Sequence, residues 1–313
     1  MLISNIFLEG SKRLIPTKSL GCYAFLPRDE DFPSGGGGST GLTELISDLG
    51  SIDPKTVTDT AFDLGSYAIK GLTDKNALKP LVNCLSSKDK NVRENVAYAL
   101  GIYAIKGLTD KSALQPLVNL LSDKDKHVRR DAAYAVSYYA KQGLTDRDAL
   151  KLLVNLLSDE DEGVQGHVAF ALGNYAKQGL TDRDALQPLV NLLSDKNESV
   201  RWNAAYALGN YAKQGLTDKS ALQPLVNLLS DKNEDVQISA ACALSIYAER
   251  GLVFKKVLKY LEPLLDSKND KLLGWVASAI KKIDPNKFEN ILSRLEIKRK
   301  LHILTLLNGF KLD

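Results

Sequence analysis

The side chains best equipped for acid–base or metal chemistry are sparse and scattered. His127, His167 and His302 are the three histidines of the chain. None has a second ligand four residues away or an evident carboxylate pairing, so their spacing supports neither a metal site nor a general base. Cys22, Cys84 and Cys242 are far apart and outside any CxxC spacing. That argues against both a zinc site and a disulfide framework, and for a reducing, cytoplasmic setting. No catalytic constellation and no cofactor is expected.

A different group of side chains does line up. Tyr98, Arg130, Tyr134, Tyr138, His167, Phe170, Asn174, Trp202, Asn203, Tyr206, Asn210 and Ile238 fall at corresponding places of a repeated text. Aromatic and apolar groups interleaved with amides and a guanidinium suit recognition of a polypeptide rather than bond making. Trp202 is the expected hot spot.

The element that positions them is a 36-residue period. Gly-Leu recurs at Gly71, Gly107, Gly143, Gly179, Gly215 and Gly251 without insertion. Residues 179–214 and 215–250 share 25 identities in 36 positions, which amphipathic patterning alone does not produce. Weaker copies upstream and downstream bring the total to about seven units, with atypical outer ones.

Within a unit the text reads as two helices. Gly179 suits the end of one helix, Thr181 an N-cap and Asp184 its capping-box partner. Leu186, Leu189, Val190 and Leu193 mark the buried stripe of helix A, which Pro188 must kink or effectively start. A polar run follows, then an Ala-rich helix B over 200–213, ended by Gly215. Of the eleven differences between the two units, eight lie on helix B. Apart from position 201 they fall between about 80° and 220° on its wheel. The invariant Val200, Ala204, Ala205, Ala207, Leu208, Tyr211 and Ala212 occupy the remaining arc and must pack between units. The Tyr67, Tyr103, Tyr139, Tyr175, Tyr211 and Tyr247 column is core by the same logic. Large rings beside Gly or Ser at positions 101, 137, 173, 209 and 245 suggest an exposed, grooved stripe.

The segment Val128-Arg129-Arg130-Asp131-Ala132-Ala133-Tyr134-Ala135-Val136, with Leu117-Val118-Asn119-Leu120-Leu121 and Asp125 before it, resembles HEAT-like and armadillo-like repeats, including those of the phycobilin-lyase class. The resemblance covers residues 42–283. It implies an all-α fold, a right-handed α-α superhelix with helix B on the concave face. It also implies an Asp/Arg ladder between units, which Asp89/Arg93 and Asp125/Arg129 match, Asn197/Arg201 half keeps, and Gln165 and Gln237 interrupt.

Residues 1–33 share nothing with the repeat, and 34–41 open with the composition of an engineered Gly-Ser joint. The chain therefore divides into 1–33, a largely extended fused peptide; 34–41, the linker; 42–284, the solenoid; and 285–313, a C-terminal capping helix. Leu14, Ile15, Tyr23, Phe25 and Leu26 are the expected anchors of a tethered ligand, engaging its own chain or a neighbouring copy. The partner is then a protein whose segment corresponds to residues 1–33.

Two other functions compete. Net charge is +3, from 41 Lys plus Arg against 38 Asp plus Glu, too balanced for phosphate-driven binding. A nucleic-acid binder would have to use the basic C-terminal end, where Lys255, Lys256, Lys281, Lys282, Lys298, Arg299 and Lys300 gather. A lyase or chaperone-like HEAT protein is the second, without catalytic residues to support it. No run of 18 apolar residues suggests a membrane span.

Overall fold

The computed structural model describes residues 14–16, 23–25 and 39–309. The first two pieces are short strands, β1 (Leu14–Pro16) and β2 (Tyr23–Phe25). They pair antiparallel with Leu14 opposite Phe25 and Pro16 opposite Tyr23. From Ser39 to Gly309 the described chain is an all-helical array.

Each inner unit repeats one local solution. The unit beginning at Gly179 serves as the example. Asp182, not Thr181, caps its start: the carboxylate accepts the Asp184 amide at 2.9 Å, and a 3-10 turn over Arg183–Ala185 precedes the helix. An ionised acceptor two residues from the amide outcompetes the hydroxyl expected there. Helix α9 then runs Leu186–Leu192, so Pro188 falls in the first turn, where its missing N–H removes no helical bond. Asn197 caps α10 (Glu198–Lys213), which ends in a Schellman arrangement. Gly215, at φ 84°, donates to the Ala212 carbonyl, and Leu216 donates to the Tyr211 carbonyl, each at 3.0 Å. The left-handed φ accounts for a glycine at every unit boundary.

The array comprises α1 (Ser39–Asp48) and α2 (Pro54–Ile69); α3 (Leu78–Cys84) and α4 (Lys90–Ile105); α5 (Leu114–Leu120) and α6 (Lys126–Lys141); α7 (Leu150–Leu156) and α8 (Glu162–Lys177); α9 and α10; α11 (Leu222–Leu228) and α12 (Glu234–Glu249); and α13 (Leu258–Leu261) with α14 (Asp270–Ile283). Helix formation at Ser39 takes in three residues assigned to the linker. The described residues from 285 on, assigned to one capping helix, hold two, α15 (Pro285–Arg294) and α16 (Ile297–Gly309), and α16 packs on α14.

Helix B of every unit lies along helix B of the next, from α2 to α14, whereas successive A helices stay further apart. The B helices are thus the more tightly packed layer, the arrangement that a stack curving toward that side requires. Small residues permit it: Ala99, Ala135, Ala171, Ala207 and Ala243 face the preceding unit and are fully buried. One continuous apolar core results, reaching from Leu49 to Ile303.

The first unit breaks the pattern. Asp63 stands where the later units have that alanine, and burial together with the neighbouring Asp59 raises its carboxyl above the usual range.

The inter-unit ladder also differs from expectation. Asp89 and Asp125 cap their own helices, and the arginines reach the loop acid of the next unit instead. Arg93 meets Asp123 at 2.8 Å, Arg129 meets Asp159 at 2.8 Å and Arg201 meets Asp231 at 2.7 Å. Each guanidinium also donates back to two carbonyls of its own loop, as Arg129 does to Asp123 and Lys124. Gln165 and Gln237 keep one carbonyl bond, to Asp159 and Asp231, and are too short for the rung.

Candidate functional site

The inner face of α4, α6, α8, α10 and α12 carries the residues singled out by unit-to-unit variation. The rings form one connected ladder across four units. Tyr98 stacks on Tyr134 at 5.8 Å; Tyr134 meets Tyr138 at 5.0 Å and His167 at 5.2 Å, both edge-on. Tyr138 meets Phe170 at 5.6 Å, and Phe170 meets Trp202 at 5.9 Å and Tyr206 at 5.4 Å. Trp202 and Tyr206 stack with planes 6° apart.

This ladder is far less open than the sequence suggested. Tyr134, Tyr138, Phe170 and Trp202 expose 8% or less, while Tyr98, Arg130, His167, Tyr206 and Ile238 are half-buried. Rings reach across the unit boundary into space left by small residues. A Cβ at Gly101 would sit 2.5 Å from the Tyr134 ring, and one at Gly173 would sit 2.6 Å from Tyr206. The small-residue column is therefore the seat of the next unit's ring rather than the floor of an open groove.

The asparagines are likewise largely spent on the protein itself. Asn174 donates to the Ser137 carbonyl at 3.1 Å and accepts from the Tyr206 hydroxyl at 2.7 Å, which ties three units together. Asn210 donates to the Tyr206 carbonyl at 3.1 Å. Asn203, 7% exposed, leaves its side-chain oxygen without a hydrogen-bond partner among the described residues.

One end of the ladder carries charge. Arg130 lies 3.0 Å from Asp131 and 3.6 Å from Glu94, with the His127 ring nitrogen at 3.3 Å. Burial pushes the Asp131 carboxyl up to about 6 despite the guanidinium beside it. Burial, aided by Arg130, holds the His167 imidazole down at about 4. His302 pairs with Asp270 at 2.8 Å, a carboxylate neighbour that lies 32 positions away in sequence and was invisible there. Among the described residues, no group of three or more His, Cys, Asp or Glu is placed to hold a metal ion.

At the other end of the helices, Lys141 sits 5.6 Å from the Tyr138 ring centre and Lys177 sits 5.5 Å from that of Tyr206. Nothing in the sequence sets these ammoniums apart, because lysine in a last helical turn is commonplace.

The basic C-terminal end is partly neutralised. Lys255 pairs with Asp284 and Lys282 with Glu249, both at 2.7 Å, and Arg299 donates to the Leu265 and Ser267 carbonyls. Of the proposed ligand anchors, Leu14 and Ile15 lie in β1 and Tyr23 and Phe25 in β2, while Leu26 lies outside the described residues. No helix among the described residues is long and apolar enough to cross a membrane.

Comparison with known proteins agrees with this architecture. A designed armadillo repeat protein in complex with the peptide (KR)4 is 31% identical, with a TM-score of 0.56, over 66% of this chain and 99% of that one. An engineered protein is 26% identical with a TM-score of 0.61, over 85% and 78%. The CpcE–CpcF complex of phycocyanin lyase from Nostoc sp. PCC7120 is 20% identical with a TM-score of 0.50, over 90% and 99%, a likeness of fold alone. No curated protein sequence matches. The HEAT-repeat profile matches residues 58–137, 80–173, 150–219 and 186–281, which together span 58–281, and the chain therefore belongs to the family of HEAT repeats.

Proposed function

We propose that this chain is a non-enzymatic scaffold that binds an extended segment of a partner protein along the inner, helix-B face. The observation that carries the reading is where the units differ. Helix A and the packing arc of helix B are copied almost unchanged, and variation concentrates on the one face that also holds the aromatic ladder. Copies free to drift everywhere would vary most on the outer face of helix A. Instead Asn83, Asn119, Asn155, Asn191 and Asn227 stay identical there, all exposed.

The accessible members, Tyr98, Arg130, His167, Tyr206 and Ile238, would make the direct contacts. The buried rings would fix their positions. That a designed repeat protein of the same architecture is known with a bound peptide supports this use of the fold. Cys84 and Cys242 are free thiols, in keeping with a reducing compartment such as the cytoplasm.

In this reading residues 1–33 are a tethered ligand, joined through the Gly-rich run, acting on their own chain or on a second copy. Tethering raises the effective concentration of a weak ligand to roughly the millimolar range. The test is to titrate a synthetic peptide of residues 1–33 into a chain that begins at Ser39. Saturable binding is expected, weakened at least about tenfold by Trp202→Ala combined with Tyr206→Ala, as for a hot spot. Unchanged affinity in that double variant, with its helical signal intact, would falsify the placement.

A further inference from the structure

We propose that the outer corner of the last unit docks on an anionic membrane surface, a use separate from the helix-B face, with Phe254 and Tyr260 entering the interface and Lys256 and Lys259 meeting lipid headgroups. The corner departs from the repeat in one direction. Where five units read Asp at the start of helix A, at Asp74, Asp110, Asp146, Asp182 and Asp218, the last reads Phe254. Thr217 is matched by Val253, Ser220 by Lys256 and Pro224 by Tyr260. Each change runs toward an apolar or cationic side chain.

Folding gives no reason for this. The five aspartates each accept the amide two residues on and so cap their turn, whereas Phe254 makes no side-chain cap. Losing such a cap costs stability. Burial does not recover it, since Phe254 is 62% and Tyr260 40% exposed. An end unit of a stacked array ordinarily turns a polar face outward. Drift in an end unit accounts for a lost acid, but not for two exposed rings and an added lysine gained between 254 and 260.

The surroundings share the pattern. Among the described residues the exposed large apolar side chains are Ile52, Leu72, Phe254, Tyr260, Ile297 and Leu301, so none falls between 73 and 253 and four fall at this end. Bonds between elements draw their segments together. Lys255 pairs with Asp284 at the start of α15 at 2.7 Å, and Lys287 of α15 pairs with Glu262 at 3.3 Å. Arg299 of α16 donates to the Leu265 and Ser267 carbonyls, and Ile297 and Leu301 stand on the opposite side of that helix.

Charge divides the same way. Residues 251–309 hold 12 Lys plus Arg against 6 Asp plus Glu, and the rest of the chain holds 29 against 32. Lys256 and Lys259 have no ion pair among the described residues. They lie beside the rings instead, 5.9 Å from the centre of Phe254 and 4.7 Å from that of Tyr260. A ring with an ammonium next to it can sink into the acyl boundary while the charge stays at headgroup level. Single-stranded nucleic acid also takes rings and lysines, through base stacking. Here one face of each ring is already taken by an ammonium, and Ile297 and Leu301 have no face to stack, so a bilayer fits better.

The experiment sediments the full chain with vesicles of phosphatidylcholine alone or with about one third phosphatidylserine. Binding to the anionic vesicles is expected to be at least about tenfold stronger and to weaken as salt is raised. Phe254→Asp combined with Tyr260→Gln should reduce it at least about tenfold, with a melting temperature at or above that of the parent, because Asp restores the cap used by the other units. Lys256→Gln with Lys259→Gln should reduce it similarly. Lys111→Gln with Lys219→Gln removes equal charge from exposed sites on inner units and should leave binding unchanged. Equal binding to both vesicles, binding to neither, or full retention by the Phe254→Asp, Tyr260→Gln variant overturns the proposal. Tighter binding of a single-stranded oligonucleotide, abolished by the same substitutions, overturns it in favour of nucleic acid. The peptide titration reads the helix-B face and is independent of these outcomes.

Discussion

Two aromatic columns run across the stacked B helices, one residue per unit, and they do different work. Tyr103, Tyr139, Tyr175, Tyr211 and Tyr247 are fully buried and identical from unit to unit. In two of them the hydroxyl accepts the amide that opens helix A of the same unit, Tyr175 from Asp146 at 3.2 Å and Tyr247 from Asp218 at 3.5 Å. Burial pushes Tyr139, Tyr175, Tyr211 and Tyr247 up to about 12. The other column reads Tyr98, Tyr134, Phe170, Tyr206 and Cys242, and it faces the preceding unit. A group that closes one unit on itself cannot be traded, because every unit has the same loop to close. A group that fills the seam between units can be traded, provided the small residue opposite it changes too.

The largest effect that separates the columns is truncation. Tyr175→Ala should cost about 3–5 kcal/mol, the range for deleting a buried aromatic, and Tyr98→Ala less than half of that, measured by urea unfolding. Equal costs would erase the distinction.

A sharper comparison lies within the seam. At Gly101 an added Cβ meets the Tyr134 ring at 2.5 Å and backbone at 3.3 Å, whereas at Gly65 its nearest contact is an ordinary 3.6 Å. Gly101→Ala should therefore destabilise by about 1–3 kcal/mol through overpacking. Gly65→Ala should stabilise by up to about 1 kcal/mol through helix propensity. Opposite signs in thermal melts are the expected result.

Next in size is the ladder. Arg129→Gln, which copies the natural Gln165, should cost about 1–2 kcal/mol by losing a largely buried charged pair. Gln165→Arg brings a guanidinium within reach of Asp195, and calorimetry should show a gain below about 1 kcal/mol.

A last contrast is with pH. The folded-state pKa of His167 is depressed to about 4, so the folded state binds fewer protons than the unfolded one between about 4 and 6.5. Its contribution to stability is lost as pH falls through that window. Asp131, raised to about 6, acts in the opposite sense: its penalty is full above pH 6 and disappears as pH falls towards the ordinary carboxylate value. His167→Asn should leave only the second slope, making the variant more stable relative to its parent at pH 4.5 than at pH 6.5.

Much of the fold was legible because duplication prints the same physics several times. The boundary glycines and the Tyr103-type column follow directly from repetition. Local chemistry below that scale was harder to see. Thr181 and Asp182 are adjacent and both able to cap, and only backbone geometry distinguishes them. The ladder was misplaced because Arg129 and Asp159 are 30 residues apart, a distance that contrasts with the tempting four of Asp125 and Arg129. Variation picked out one face of helix B but gave no measure of burial, since a residue packed in a changing seam varies as freely as one in water. Asn174 illustrates this: its amide looked available to a ligand and is bonded on both sides.

Asp63 gives the array its punctuation. Unequal copying can lengthen or shorten the middle of such a chain one whole unit at a time, because each inner unit presents an alanine backward and a small residue forward. A unit placed ahead of α1 would press its backbone against a carboxylate crowded by Asp59, and no countercharge is supplied by the repeat text. Asp63 thus sets the first unit apart from the inner ones, whose alanine at this place accepts a neighbouring backbone.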